Sequence, residues 1–194
     1  KIESEIRSKL SDSDFSLTSF LEKTKKTGIG LTNDWLSGDL SKSRSLVSSG
    51  IYNRFRTQLR LLKKEGLVNV MTDWEIYPQR IKTIEADNQF QVAHVFVQGF
   101  AKDMNLPESL PDGERQRKIS AQKKKGYQEY WTFIRSNQAK TKKGILDGVC
   151  PNCGSVADNV SQSNKCVHCG TIYNSSRYDW VLTEITQPDE WGKN

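Results

Sequence analysis

The sequence predicts an α+β domain. Helices come first, a meander of antiparallel strands follows, and a small cysteine module sits between the last two strands. Two observations carry this. Apolar residues recur at helical spacing up to Gly66, and β-branched and aromatic residues dominate after it. The chain's only four cysteines fall late, as two Cys-x-x-Cys pairs.

Residues 1–12 read as an approach segment with helical character. Ser13-Asp14-Phe15-Ser16 marks a helix start: Ser16 suits the N-cap, and Phe15 and Phe20 occupy the hydrophobic staple positions. Gly28 and Gly30 predict the end of that helix. A short helix over 31–36 then carries Trp35, and another runs over 40–48. Ile51, Phe55, Leu59 and Leu62 form the apolar stripe of a stronger helix, predicted to face the core and stopped by Gly66.

Residues 68–85 predict a strand, with Pro78 placing it at an edge or break, and 86–89 a hairpin turn. In the next strand Phe90, Val92, His94, Phe96 and Phe100 share one face, and Ala93, Val95 and Val97 the other. Both faces are largely apolar, which predicts a central strand covered on both sides. Residues 104–126 read as a polar, basic loop, in part helical. Residues 127–135 and 177–185 predict the third and fourth strands, in which Trp131 pairs with Phe133 and Trp180 with Leu182 as structural residues. The domain is expected over 13–186, with the cysteine module inserted at 144–175 and a tail at 187–194.

The cysteines are Cys150-Pro151-Asn152-Cys153-Gly154 and Cys166-Val167-His168-Cys169-Gly170, with twelve residues between the pairs. Two residues between cysteines let both thiolates of one tight turn reach the same tetrahedral ion, and a glycine after each pair suits the turn. The spacing predicts one structural zinc ion on Cys150, Cys153, Cys166 and Cys169, with His168 an exposed bystander. Four thiolates leave no open position for water or substrate, so this zinc is expected to have no part in catalysis.

The 194 residues are 35% hydrophobic and 27% charged, enough for one domain with a sizeable core. No run of about 18 apolar residues is present to span a membrane, and no signal peptide is recognisable. Lys1 stands where a complete chain would start with methionine, so the sequence is expected to be a piece of a longer protein. Net charge is +6. Arg115, Arg117, Lys118, Lys123, Lys124 and Lys125 concentrate part of it in one segment, a candidate surface for acidic lipid, an acidic protein or nucleic acid.

Glu129-Tyr130-Trp131-Thr132-Phe133-Ile134-Arg135 resembles the E-x-W-x-F-x-R strand of the Tim44-like domain, and Tyr178 to Ile185 is similar to its closing W-x-L-x-x-I strand. Asp14-Phe15 before a helix, the Ile51-Tyr52 helix and Asp103 at the end of the second strand fall in the family's order. The resemblance spans roughly residues 13–186. The cysteine module departs from the mitochondrial members and looks like that of some bacterial ones, and the long basic segment before Tyr127 is a further departure. The resemblance implies a cone-shaped fold of the nuclear transport factor two-like superfamily, with helices over a strongly curved antiparallel sheet enclosing an apolar pocket. It also implies a membrane-peripheral scaffold, since the mitochondrial member contacts translocase partners and acidic lipid.

The leading functional expectation is therefore a non-catalytic binding or scaffold domain of a membrane-associated bacterial protein. Its partner is a protein, with an acidic lipid surface or a small molecule in the pocket as further ligands. Membrane attachment is expected through segments outside these residues, with the domain itself cytoplasmic. One alternative is nucleic-acid binding through the zinc module and basic segment. Against it, Gly154 to Lys165 carries only Asp158 and Lys165 as charges, a small electrostatic footprint. The other is a pocket enzyme, for which His94, Asp73, Tyr77 and Glu129 are the candidate polar groups.

Overall fold

A computed structural model describes residues 1–189. Its elements, in order, are α1 (Ile2–Leu10), α2 (Leu17–Ser37), α3 (Ser49–Lys64), β1 (Leu67–Ala86), β2 (Phe90–Pro107), α4 (Asp112–Ala121), β3 (Lys125–Ser136) and β4 (Val181–Thr186). The strands form one antiparallel sheet in the order β1-β2-β3-β4, with helices packed on it. This is the α+β arrangement the sequence predicts. The cysteines lie in the connection between β3 and β4. Of the tail expected at 187–194, residues 190–194 lie outside the described residues.

Residues 1–12, read as an approach segment, form α1 and send Ile6 and Leu10 into the main core. The start of α2 is as expected: the Ser16 hydroxyl accepts from the Ser19 amide at 3.2 Å, and the Phe15 and Phe20 rings pack 5.7 Å apart. Its end is not. The helix runs unbroken through Gly28 and Gly30 and stops at Gly38, in the left-handed region at φ 76°. Gly28 supplies clearance: a Cβ there would lie 2.8 Å from Trp131 Cη2 and 3.0 Å from Ile76 Cδ1. The helix rests directly on the sheet at this point, which only glycine permits.

The helix expected over 40–48 is a single 3-10 turn, Ser43–Ser45. The Asp34 carboxylate accepts from the Ser43 amide at 2.8 Å and its hydroxyl at 2.6 Å. Val47 then bridges to Leu182 in parallel, and the Ser48 amide donates to the Leu182 carbonyl at 2.8 Å. Extended backbone at this point pairs its main chain with the outer edge of β4, which a helix, its backbone groups already bonded internally, cannot do. On α3, Ile51 is buried, while Phe55, Leu59 and Leu62 are half-buried, so the stripe is only in part a core face.

β1 is an edge strand, which accommodates Pro78. Its pairing with β2 shifts register between Thr72 and Glu75, Pro78 and Arg80, and Ile81 and Thr83. Each unpaired residue bends and twists the strand, so the sheet curls. On β2, Ala93, Val95 and Val97 are fully buried against the helices. Val92, His94, Phe96 and Phe100 are half-buried and Phe90 is exposed, so the expected cover on both faces is corrected to cover on one. The outer face carries small aromatic contacts instead, Phe96 against Tyr130 with Arg80 stacked above. The loop expected over 104–126 contains the end of β2 and all of α4, and β4 begins at Val181 rather than at Arg177.

Among the described residues the most deeply buried charged side chain is a guanidinium. Arg135, at the end of β3, is 1% exposed. Its Nη2 donates to Asp12 Oδ2 at 2.7 Å, its Nε donates to Gln91 Oε1 at 2.6 Å, and its guanidinium stacks 4.6 Å from the Trp180 ring centre. Asp12 also accepts from the Thr141 amide and hydroxyl at 2.9 and 2.8 Å, and Gln91 donates on to the Leu10 carbonyl at 2.9 Å. Burial opposes the charge on Asp12, but the bonds from Arg135 and Thr141 outweigh it and hold the carboxyl below its ordinary value.

Asp12→Ala leaves the guanidinium buried without a counter-charge. It should cost about 3–5 kcal/mol, read from the urea midpoint. Because the folded carboxyl titrates below the unfolded one, Asp12 contributes in full above about pH 4 and loses its contribution as pH falls through its folded value. Acid should therefore weaken the wild type more than the variant. Trp131 is 4% exposed beneath α2, and Trp131→Ala should cost a further about 3–5 kcal/mol. An unchanged denaturation midpoint would contradict its packing.

Candidate metal centre and the inner face of the sheet

The two cysteine pairs form two turns of the same construction. The Cys150 amide donates to Ser155 and the Gly154 amide to Cys150. In the second turn Cys166 donates to Thr171 and Gly170 to Cys166, all at 2.8–3.0 Å. Both glycines are left-handed, at φ 75° and 76°. Each turn closes with a short antiparallel bridge, Val149 to Val156 and Lys165 to Ile172. This construction brings the Sγ atoms of Cys150, Cys153, Cys166 and Cys169 within 4.8 Å of one another, with contacts of 3.7 Å between Cys150 and Cys169 and 3.8 Å between Cys153 and Cys166. Metal–sulfur bonds of about 2.3 Å in a tetrahedron separate the sulfurs by about 3.8 Å, so the cluster fits a single soft ion.

The surroundings act unequally on the four thiols. Thr171, by its hydroxyl and amide, pulls the Cys169 thiol down to about 6, while burial pushes Cys150 up to about 11. Ser155 Oγ lies 3.2 Å from Cys153 Sγ. His168 is exposed and outside the cluster. Cys150, Ala157, Cys166 and Tyr173 make a small core of their own, separate from the main one. The module is tied to the body at both ends. Thr141 bonds Asp12, the Ser136 amide donates to the Ser176 carbonyl at 2.6 Å, and the Asn174 side chain donates to the Val47 carbonyl at 2.9 Å.

On the inner face of the sheet, α2, α3 and all four strands line a cavity of about 570 Å³ that opens to solvent. Trp35, Phe55, Trp74, Tyr127 and Trp131 line it, together with Glu129. The Trp131 indole donates to Glu129 Oε2 at 2.8 Å. Burial pushes the Glu129 carboxyl up, and burial beside the Glu129 and Asp103 charges pushes the Tyr127 hydroxyl up to about 12.

The four polar residues considered for catalysis do not converge. Glu129 alone of them lines the cavity. His94 lies on the outer face of β2, its Nδ1 2.8 Å from Thr132 Oγ1. Asp73 is exposed at a register shift and paired with Lys102 at 3.5 Å, and the Tyr77 hydroxyl donates to Glu75 at 2.9 Å on the surface.

The basic segment is partly tied down. Arg115 donates to the Leu110 carbonyl at 2.8 Å and pairs with Asp112 at 3.2 Å, and Lys124 pairs with Glu75 at 2.7 Å. Arg117 is exposed within 4.0 Å of Glu114, and Lys118, Lys123 and Lys125 are exposed. A second basic surface lies on α3, which holds no acidic residue: Arg56, Arg60, Lys63 and Lys64 are exposed along one side of it, while Arg54 stands at the cavity. The absence of any acidic residue from Ser49–Lys64 is the sequence signal for it. Asp12 and Gln91, both bonded to Arg135, were missed because neither lies near it in sequence.

The Tim44-like domain family profile matches residues 5–145, from within α1 to just before the first cysteine. The chain belongs to the Tim44-like domain family, as the strand motif ending in Arg135 implied. Comparison with characterised proteins returned no match.

Because the cysteine turns have their own small core, metal removal should act locally. Chelation is expected to release hydrogen-exchange protection over about residues 145–174 and to leave α1 to α3 and β1 to β3 protected. A single cooperative loss of the whole fold would contradict this.

Proposed function

We propose that this is a non-catalytic binding domain, a scaffold of a membrane-associated bacterial protein, with one structural zinc ion holding the β3–β4 connection. The observation that carries the reading is a closed four-thiolate cluster set into a Tim44-like domain. A complete tetrahedral donor set leaves no site for a reacting ligand. The dispersal of His94, Asp73, Tyr77 and Glu129 over both faces of the sheet speaks against a catalytic constellation. Helices packed on a curled antiparallel sheet support the wider kinship with the nuclear transport factor two-like superfamily. No helix among the described residues is long and apolar enough to cross a membrane, so attachment by this domain would be peripheral.

Two basic surfaces support contact with an acidic bilayer: the α3 face, and the exposed members of the 115–125 segment. Each basic side chain near an anionic surface contributes on the order of 1 kcal/mol, fading within a Debye length of about 8–10 Å. The domain should co-sediment with vesicles rich in acidic lipid at low salt, release at high salt, and ignore neutral vesicles. Charge reversal at Arg56, Arg60 and Lys63 should abolish binding. Reversal at Lys123, Lys124 and Lys125 should weaken it less, since Lys124 is already engaged by Glu75. Metal analysis should return one zinc per chain. Indifference to acidic vesicles would remove the membrane part of the proposal, and a salt-sensitive shift of labelled RNA by the same protein would replace it with nucleic-acid binding.

A further inference from the structure

We propose that the cavity between α2, α3 and the sheet is a binding site for a small organic cation, an amine or quaternary ammonium group carried on an apolar body. At about 570 Å³ it falls within the range of small-molecule sites. The walls and the half-buried Glu129 carboxylate agree on the chemistry. Trp35, Phe55, Trp74, Tyr127 and Trp131 line the cavity, and aromatic faces carry negative potential that attracts cations. Glu129 lies there without an ion pair among the described residues, the exposed Arg54 guanidinium being the one cation near enough to favour its charge. Its hydrogen bonds come from neutral groups, the Trp131 indole and the Gln187 side chain.

The other charges on the lining leave that role open. Asp103 accepts from Asn69 at 2.6 Å. Arg54 is exposed, donates to the Ile185 carbonyl at 3.3 Å and stacks on Phe55, and Lys125 is exposed on the rim. The two basic groups thus lie on the solvent side and the carboxylate further in. An ammonium group inside would gain a charge-assisted hydrogen bond and the aromatic walls together. A neutral ligand would gain only apolar burial, and an anion would meet Glu129. Burial already raises the Glu129 carboxyl, so a cation in contact would draw it back to the ionised form. The inference does not depend on the membrane reading and is tested separately from it.

Three probes share one apolar body and differ in the head group: phenylbutylamine, phenylbutanol and phenylbutyrate. Titrated into the purified protein and followed by tryptophan fluorescence and the indole N–H resonance of Trp131, the amine should bind at least about tenfold tighter than the alcohol, a difference of about 1.4 kcal/mol. The carboxylate should bind weakest. Glu129→Gln keeps an acceptor for Trp131 and should reduce the amine to the affinity of the alcohol. Should that variant fail to fold by circular dichroism, Trp74→Leu should lower the amine's affinity more than the alcohol's, and the ranking on the wild type needs no variant. Equal binding of all three probes, tightest binding of the carboxylate, no binding at all, or an amine preference that survives Glu129→Gln would each overturn the proposal.

Discussion

A buried guanidinium sets the terms for much of this structure. Arg135 has no access to water, and a charge in that position is tolerable only with its counter-charge and hydrogen bonds complete. Asp12 comes from the α1–α2 connection, Gln91 from the start of β2, Trp180 from the approach to β4, and Thr141 binds the far side of Asp12. Four distant stretches of chain must therefore meet at one point for any of them to be satisfied. This makes α1 part of the domain rather than a leader to it, and it fixes the first residues of the β3–β4 connection before the cysteines are reached.

From that anchored start the connection has little apolar material with which to fold. Its own small core is built on Cys150, Ala157, Cys166 and Tyr173. Two short turns with the same hydrogen bonds and the same left-handed glycine bring four sulfurs to tetrahedral spacing, so that metal ligation can stand in for a core too small to hold by itself. The body uses the opposite solution, a continuous apolar core in which α2 comes so close to β3 that Gly28 can carry no side chain.

Curling the sheet by register shifts in β1 has a second consequence. Its inner face is too concave for α2 and α3 to fill, and the remainder is the aromatic-lined cavity that holds Glu129. Its outer face is covered by α4 only at the Lys102–Leu106 end of β2, where Lys102 donates to the Ser120 carbonyl and Ile119 is buried, so further along β2 buries its small residues and half-exposes its aromatic ones. The burial that shifts the Glu129 and Tyr127 side chains belongs to this cavity, while the His94 ring lies on the other side of the sheet.

What the sequence determined by itself was local or periodic. The four ligands were legible because Cys-x-x-Cys spacing and a following glycine describe one turn each, with no reference to the rest of the chain. The Ser16 cap, the Phe15–Phe20 staple, the edge position of Pro78 and the inward pair Trp131 and Phe133 are likewise short-range patterns. Tertiary structure decided the rest, because it depends on who faces whom. Gly28 reads as a helix stop until Trp131 is placed against it. Residues 40–48 read as a helix until the bare edge of β4 needs extended backbone. His94 reads as a pocket residue until the helices are seen to cover the other face. Arg135 belongs to a strand motif in the sequence and becomes the meeting point of the fold only when Asp12, some 120 residues earlier, is brought to within 2.7 Å of it.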